Sequence, residues 1–417
     1  MLSCLVAIVS EAEAARTADR QSLARHLCEA RERTLALFAA SRKTLGDGLV
    51  VPYTPELNPP LWELGHIGWF ADWWITRNPS RHLGVRADPF AARTTARQAR
   101  RGQDADSLYD SSHVPHAKRW HLRLPDADST VLDLHDSLQD TLSLLAQAPE
   151  TDDGLYFFRL ALFHEDMHGE AAVYMAQTLG MDPFAADALP HPSAPVLNTA
   201  HAEAMLQIPA TDWSLGRAGP GFAFDNELAT HTVHVPAFRI DAAPVTWARY
   251  LPFVEAGGYK QRQWWSEAGW AWRNAQSTGA PRYLRRTGDR WDRQLWGEWQ
   301  ALQPEHAACH LSAHEVEAWC AWAGRRLPSE AEWEVAAHTV PGFCWGNVWE
   351  WTSTPFAPYP GFGPHPYVDY SAPWFDGRPV LKGASPATAV RMRHRKYRNY
   401  FSHERNDIMA GFRSVSA

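Results

Sequence analysis

The spacing of two histidines constrains this chain more than any other feature. His164 and His168 lie four residues apart in residues 154–180, where the apolar spacing and the final glycine predict one long helix. Residues four apart share one face of an α-helix, so the two imidazoles can bind one metal ion together. His66 lies in a second predicted helix, residues 62–76. Three neutral nitrogens would leave one side of the metal open, and open sites carry out chemistry whereas closed sites stabilise structure.

Length and charge limit the possible classes of protein. A chain of 417 residues exceeds what one hydrophobic core usually serves, so two or three domains are expected. A net charge of -7 argues against nucleic acid as a partner. The five cysteines show no close pairing, which indicates a reducing, cytoplasmic location. No apolar run is long enough to span a bilayer, and residues 1–10 lack the basic start of a signal peptide, so we expect a frayed or helical N-terminus and no membrane.

The first half of the chain reads as four helices. They are predicted over residues 19–40, 62–76, 129–146 and 154–180. Four amphipathic helices with one long connection form a four-helix bundle, in which metal sites come from facing helices. Residues 181–204 are rich in proline, alanine and histidine and predict a linker. We therefore expect a metal-binding bundle over about residues 15–195 and a second domain over about residues 205–417.

The second half differs from the first in composition and in predicted secondary structure. Glycines, prolines and many of the 21 tryptophans recur there, and short β-runs such as residues 230–235 appear. One helix is predicted over residues 312–323. Another, over residues 329–337, begins with Ser329 and Glu332 in the spacing of a capping box. This pattern predicts an α+β domain with much irregular loop.

The histidine pattern alone leaves several explanations open. With 20 histidines, some fall at this spacing by chance. His164-Glu165-x-x-His168 also fits the zinc peptidase motif, in which Glu165 would be the general base, but no downstream third ligand follows. Three imidazoles suit zinc, copper, nickel or iron, so the ligand set does not identify the metal.

Longer motifs identify a family. Residues 325–334 and 346–352 resemble the signature of the formylglycine-generating-enzyme (sulfatase-modifying factor) fold, a C-type-lectin-like α+β domain. The first half resembles the DinB-like four-helix bundle, with His66, His164 and His168 at the places of its three metal ligands. The two domains in this order resemble the ergothioneine sulfoxide synthases and the related selenoneine synthases, over nearly the whole chain beyond the first twenty residues.

The resemblance implies a non-haem iron enzyme. Its members use ferrous iron, Fe(2+), and O₂ to join a sulfur or selenium donor to the imidazole C2 of hercynine (Nα-trimethylhistidine). Three neutral ligands leave iron with open positions, and holding the reactants there together contributes as proximity. The partners expected are therefore small molecules, and the oligomeric state is left open.

The resemblance also assigns roles to two tyrosines in residues 366–370. Tyr367 would donate a proton or hydrogen where oxygen is reduced, and Tyr370 would line the hercynine pocket. Other members place paired tyrosines in a loop of the helical domain. Ser112 and His113 stand at those places here, which leaves Tyr109 as a possible contributor. The alternative is that Tyr367 and Tyr370 are packing aromatics in a loop.

Residues 397–405 resemble the substrate-binding loop of the family. Asn399 and Tyr400 would meet the trimethylammonium end of hercynine, which aromatic faces can bind. Arg405 would bind a carboxylate or the hydroxyls of the donor, because its planar guanidinium can donate hydrogen bonds to either group. The alternative is a basic surface loop that pairs with nearby acids.

Two residues differ from the family pattern at positions that bear on the identity of the donor. Phe401 stands where members that use γ-glutamylcysteine have an acid, and Met167 stands where some members have a glutamine for the hercynine imidazole. Both disfavour γ-glutamylcysteine and favour free cysteine or a selenosugar. The tryptophans of residues 264–272 favour the selenosugar, since aromatic rings stack on sugar faces. We therefore predict a selenoneine synthase, with an ergothioneine-type sulfoxide synthase that uses cysteine or γ-glutamylcysteine as the alternative.

Other classes stay open at this stage. A formylglycine-generating oxidase needs a cysteine pair in the C-terminal region, where residues 382–386 contain none. A lectin-like domain with a metal-binding bundle could bind ligands without catalysis. A bundle enzyme could also use zinc for thiol transfer.

Overall fold

The structure is a computed structural model that describes residues 11–95, 98–99, 102–184, 189, 197 and 202–416. The expectation for residues 1–10 and most of the expected linker lie outside these residues. The first half is helical. Its helices are α1 (Arg20–Leu45), α2 (Pro60–Ala71), the short α3 (Ala105–Tyr109), α4 (Ala127–Leu145) and α5 (Asp152–Leu179). A two-stranded ribbon, β1 (Gln98–Ala99) with β2 (Gln103–Asp104), precedes α3.

Local sequence signals set the ends of these helices. The Asp19 side chain caps α1 by accepting from the backbone N–H of Ser22, and Pro60 occupies the first position of α2. Thr151 caps α5, and Gly180 ends it with a φ of 66°, which glycine adopts readily. A π-helical turn, Asp72–Thr76, continues α2. The four long helices predicted from the sequence are thus confirmed, with ends that shift by a few residues.

The second half is an α+β fold with short strands. Its helices are α6 (Trp247–Glu255), α7 (Glu267–Ala275), α8 (Ala313–Trp322) and α9 (Glu330–Thr339). Its strands are β3 (Met205–Ile208), β4 (Thr211–Leu215), β5 (His231–Val235), β6 (Phe238–Asp241), β7 (Leu284–Thr287), β8 (Arg290–Leu295), β9 (Glu298–Ala301), β10 (Arg325–Arg326), β11 (Val348–Pro355), β12 (Pro379–Ala384), β13 (Asn399–Tyr400), β14 (Ala410–Gly411) and β15 (Val415–Ser416). Ser329 and Glu332 form the predicted capping box at α9.

The strands form several small sheets. One sheet has the order β10-β15-β6-β3 and another the order β13-β12-β11-β14. In the second, β11 runs antiparallel to β12 and parallel to β14. β4 pairs with β5, and β7-β8-β9 form a three-stranded meander. The mixture of small sheets, short helices and loops agrees with the irregular α+β domain that the sequence predicts.

Buried contacts tie α5 to the second half. The carboxylate of Asp166 accepts two hydrogen bonds from the Arg391 guanidinium, at 2.6 and 2.8 Å. Glu170 accepts from the Trp349 indole at 2.7 Å and from the Ser385 hydroxyl at 2.7 Å. Removing one partner of a buried, charged pair typically costs about 3–5 kcal/mol. These contacts come from the face of α5 opposite His164 and His168, and they hold the helix, with its two histidines, in a fixed position beside the second half.

Two further findings concern the cysteines and the length of the helices. Cys28, Cys309, Cys320 and Cys344, the cysteines within the described residues, are all free thiols. In the same part of the chain, none of the helices combines the length and the apolar character that crossing a membrane requires.

Candidate metal centre

The fold brings the three predicted histidines together. α2 supplies His66 and α5 supplies His164 and His168, and one nitrogen from each lies within 4.8 Å of the other two. The Nε2 atoms of His164 and His168 are 3.1 Å apart. The ring centroid of His66 is 5.1 Å from that of His164 and 5.0 Å from that of His168. Three imidazoles from two facing helices thus converge on a space that one metal ion would fill.

Neighbouring groups orient the imidazoles. The Nδ1 atom of His66 lies 2.8 Å from the Tyr109 carbonyl oxygen, and Nδ1 of His168 contacts the Glu63 carboxylate. Both partners are acceptors, so each Nδ1 carries the proton and each Nε2 keeps its lone pair for a metal. The His164 ring stacks on Phe70 with centroids 3.5 Å apart and planes at 4°. Two of the three imidazoles are therefore held in the tautomer that metal binding requires, and the third is held by stacking.

The charges around the triad also suit a cation. Burial lowers the pKa of His66 to about 3 and takes that of His164 well below its ordinary value, so both are neutral, as ligands must be. Burial alone would raise the pKa of Glu63, but the His168 imidazole outweighs it and lowers that pKa to about 2. An ionised carboxylate therefore lies directly behind one of the three imidazoles.

Glu165 does not fit the peptidase alternative. Its carboxylate is buried and accepts two hydrogen bonds from the Arg31 guanidinium, at 2.8 and 3.2 Å. A general base must reach the substrate or its water, and Glu165 is not among the residues around the cavity that the triad faces.

A cavity of about 630 Å³, here called the substrate cavity, lies beside the triad between the two halves of the chain. This volume is within the range of small-molecule sites. Its walls from the helical half include Trp62, Glu63, His66, His164, Met167 and His168, and those from the second half include Tyr367, Asp369, Tyr370, Trp374 and Tyr400.

Tyr367 lines the cavity from the second half, next to His164. Its ring centroid lies 6.3 Å from that of His164, 5.1 Å from that of Phe70 and 5.9 Å from that of Trp74. Burial raises the pKa of Tyr367, so the hydroxyl keeps its proton near neutral pH. Tyr367 is thus a protonated phenol beside the histidine triad.

Met167 and Tyr370 line the adjoining wall, and Tyr397 contacts both of them. The Tyr370 and Tyr397 hydroxyl oxygens are 3.1 Å apart, and they lie 3.7 and 3.5 Å from the Met167 sulfur. The Tyr370 ring stacks on Phe224 with centroids 4.4 Å apart. The sequence did not single out Tyr397, although it lies at the start of the 397–405 segment.

The other residues of the predicted substrate loop differ in position. Tyr400 lines the substrate cavity and stacks on Phe356 at 4.0 Å, whereas Asn399, Phe401 and Arg405 do not line it. The Arg405 guanidinium pairs with Asp407 at 2.6 and 2.7 Å and covers the Phe401 ring at 4.9 Å. Pairing with a nearby acid is the alternative that the sequence left open. Direct substrate contact of these three residues stays a prediction.

The tryptophans of residues 264–272 are not part of the substrate cavity. Trp272 packs on His314 with centroids 5.7 Å apart, in the second half. The tryptophans that do line the cavity are Trp62 and Trp374, and the Arg119 guanidinium lies 3.9 Å from the Trp62 ring centroid. The aromatic faces expected around a substrate are therefore present, but they come from other positions.

Tyr109 acts through its backbone. Its ring is buried and packs so close to α2 that a Cβ on Gly65 would lie 2.2 Å from it, while its carbonyl holds His66. Ser112 lines the substrate cavity, and His113 pairs with Asp110 at 2.7 Å. This loop therefore positions His66, a candidate metal ligand. It does not place a tyrosine hydroxyl in the substrate cavity.

Comparisons with known proteins relate the chain to one family model and to several named enzymes. The family model of the sulfatase-modifying factor enzyme 1-like domain matches residues 193–343. The chain is similar to the hercynine oxygenase of Mycolicibacterium thermoresistibile, with 31% identity over 94% of this chain and 94% of that protein. It is also 31% identical to the hercynine oxygenase of Mycolicibacterium smegmatis, over 94% of this chain and 98% of the relative. The formylglycine-generating enzyme of Streptomyces coelicolor is 28% identical over 48% of this chain and 83% of that protein.

Proposed function

The chain belongs to the hercynine oxygenase family, whose members it matches at 31% identity over 94% of its length, and we propose that it is an Fe(II)- and O₂-dependent selenoneine synthase. In this proposal it acts as an oxidoreductase on hercynine and joins selenium from a selenosugar to C2 of the imidazole. The observation that carries the proposal is the triad of His66, His164 and His168 facing a cavity with aromatic walls.

The residues fit an iron ion. His66, His164 and His168 would hold it, and Glu63 and the Tyr109 carbonyl would keep two of the imidazoles in the ligating tautomer. Bound Fe(II) would supply open positions for the reactants and the electrons that start the reduction of O₂. The carboxylate of Glu63 offsets part of the metal's charge and makes the His168 imidazole a stronger donor.

The cavity walls suit hercynine. A trimethylammonium group offers no hydrogen-bond donor, so it binds to aromatic faces and to diffuse negative charge. Tyr370, Tyr400 and Trp374 offer such faces, and Asp369 adds a carboxylate to the same cavity. Hercynine bound there would direct its imidazole toward the triad and toward Met167.

Tyr367 supplies the proton that oxygen reduction needs. In the proposed reaction, hercynine loses the hydrogen on C2 and the donor loses the hydrogen on selenium while the C–Se bond forms. One oxygen atom of O₂ is transferred to selenium and the other leaves as water. Water then cleaves the bond between selenium and the sugar, which releases the free sugar and leaves a selenenic acid on C2. Two equivalents of a thiol from solution would reduce this selenenic acid to the selenol, with formation of a disulfide and water. The protonated hydroxyl of Tyr367, with its ring 6.3 Å from that of His164, supports the donor role.

The cavity walls bear on the choice of donor. γ-Glutamylcysteine carries an amine that needs an acid. The Glu63 carboxylate is engaged by His168 and Asn58, and in this proposal the Asp369 carboxylate faces the trimethylammonium group of hercynine. Phe401, which lies outside the cavity wall, is apolar. Trp374 lines the cavity and is 41% exposed, so a sugar can stack on its ring, whereas Arg119 and His66 already cover the Trp62 ring. These features favour the selenosugar. A sulfoxide synthase that uses cysteine or γ-glutamylcysteine is the second candidate, because the similar relatives are named hercynine oxygenases.

One competition experiment tests the proposal. The protein is loaded with Fe(II) without oxygen and then exposed to air with hercynine, a selenosugar, cysteine and γ-glutamylcysteine together. We expect mass spectrometry to find mainly the C–Se product. A mainly C–S product would establish the second candidate. Absence of any hercynine-dependent oxygen uptake would point instead to a binding module without catalysis, and activity only with zinc would point to thiol transfer.

A further inference from the structure

A second cavity lies within the helical half, on the other side of His168 from the substrate cavity. This cavity, here called the helix cleft, has a volume of about 50 Å³ and lies between α1, α2 and α5. α1 contributes Leu37 and Phe38, α2 contributes Leu64 and Ile67, and α5 contributes Ala172 and Ala176. The middle of the cleft is therefore aliphatic and aromatic, and the small alanines leave its space open.

The helix cleft ends at the metal centre. Asn58, Glu63 and His168 line both the helix cleft and the substrate cavity. The wall between the two cavities is therefore a single layer of side chains, and one of them is a candidate metal ligand. The opposite end lies at Ser41 and Leu179, which are half-buried near the protein surface.

The polar groups at the inner end are already paired with one another. The Asn58 amide donates at 2.5 Å to one carboxylate oxygen of Glu63, and the other oxygen contacts His168. The Ser41 hydroxyl donates to the Leu37 carbonyl at 3.1 Å. A stable buried water needs about 2–4 polar partners, and the cleft offers few beyond the Thr34 hydroxyl. It therefore suits a small apolar molecule better than water.

We propose that the helix cleft binds dioxygen and delivers it to the metal centre through the layer formed by Asn58, Glu63 and His168. This inference rests on the proposed function, because O₂ is the apolar diatomic reactant of that chemistry. Two organic substrates share the substrate cavity and block the approach from that side. The helix cleft reaches the same histidine from within the bundle and is large enough for one diatomic molecule.

Xenon tests the site without turnover, since apolar cavities in proteins bind it. Crystals of the full-length protein under xenon pressure should show xenon beside Leu37, Ile67 and Ala172. Ordered water in the cleft, or xenon at other sites only, would overturn the proposal. This result does not depend on iron, hercynine or catalysis.

Kinetics test delivery of oxygen. Ala172→Leu and Ala176→Leu fill the cleft, and Ala39→Leu is the matched control because Ala39 is exposed on α1. We expect kcat/KM for O₂ to fall about fivefold in the cleft variants, a barrier of about 1 kcal/mol, with KM for hercynine unchanged. Equal values in the cleft and control variants would overturn delivery through the cleft.

Thermal unfolding identifies a misfolded variant, and Ala172→Val then replaces it. If wild-type protein consumes no O₂ with hercynine, the proposed function fails. The xenon result alone then decides whether the cleft binds small apolar molecules.

Discussion

Replacing Glu63 by glutamine tests how the protein holds its metal. Glu63 is 8% exposed, and its two carboxylate oxygens accept from different donors, Asn58 and His168. Glutamine keeps one acceptor oxygen and turns the other into an NH₂ group, which then faces a donor. Asn58 cannot turn to receive it without losing its bond from Arg119 at 2.8 Å. The variant therefore loses a charged hydrogen bond and the negative charge behind His168.

The expected loss of metal affinity can be calculated from the lost hydrogen bond. A hydrogen bond to a charged group contributes about 1.5–3 kcal/mol, which corresponds to a loss of roughly 10- to 150-fold in metal affinity. The outer partners of metal-bound histidines typically contribute about 10- to 100-fold, which agrees. The assay is anaerobic titration of the metal-free protein with Fe(II) against a competing chelator.

Controls separate the charge from the fold. Glu32→Gln removes a carboxylate from the exposed face of α1 and should leave metal affinity unchanged. Asn58→Ala keeps the Glu63 charge, so its loss should be smaller than that of Glu63→Gln. Thermal unfolding of each metal-free variant confirms that the bundle still forms. A Glu63→Gln affinity within about twofold of wild type would refute the assigned role.

Three further substitutions test the site residues. His164→Ala should abolish iron binding and activity together, as measured by metal analysis and oxygen uptake; full iron occupancy would refute the ligand assignment. Tyr367→Phe should leave hercynine affinity unchanged and slow oxygen-dependent turnover about 100-fold, the usual lower range for a general acid; an unchanged rate in stopped-flow measurements would remove the donor role. Phe401→Asp should raise turnover of γ-glutamylcysteine relative to the selenosugar in the competition assay. No gain would show that Phe401, which does not line the cavity, does not select the donor.

Local signals predicted most of the helical half. The apolar spacing and the glycine at position 180 predicted α5 to within two residues, and the Ser329 capping box located α9. These features depend on neighbouring residues, which the sequence shows directly. The meeting of α2 with α5 could not be derived from spacing, because it depends on packing between distant segments. The family resemblance supplied it, and the convergence of His66 with His164 agrees with that expectation.

The sequence was less informative about the surroundings of the site. Glu63 carried a usable signal: it is the only acid in the otherwise apolar stretch 62–71, and it lies three residues before His66, on the same face. The tryptophans of residues 264–272 gave no such signal, since composition does not say which rings face a cavity. Arg405 and Asp407 are two residues apart, so their pairing could have been anticipated.

Iron-edge X-ray absorption of the anaerobically loaded protein tests the central claim most directly. We predict one iron per chain with nitrogen and oxygen neighbours that include three imidazoles, and loss of this signal in His66→Ala. His66 is the decisive position, because it alone comes from α2. A sulfur-ligated iron, or a His66→Ala protein that retains one iron with an unchanged spectrum, would contradict the account.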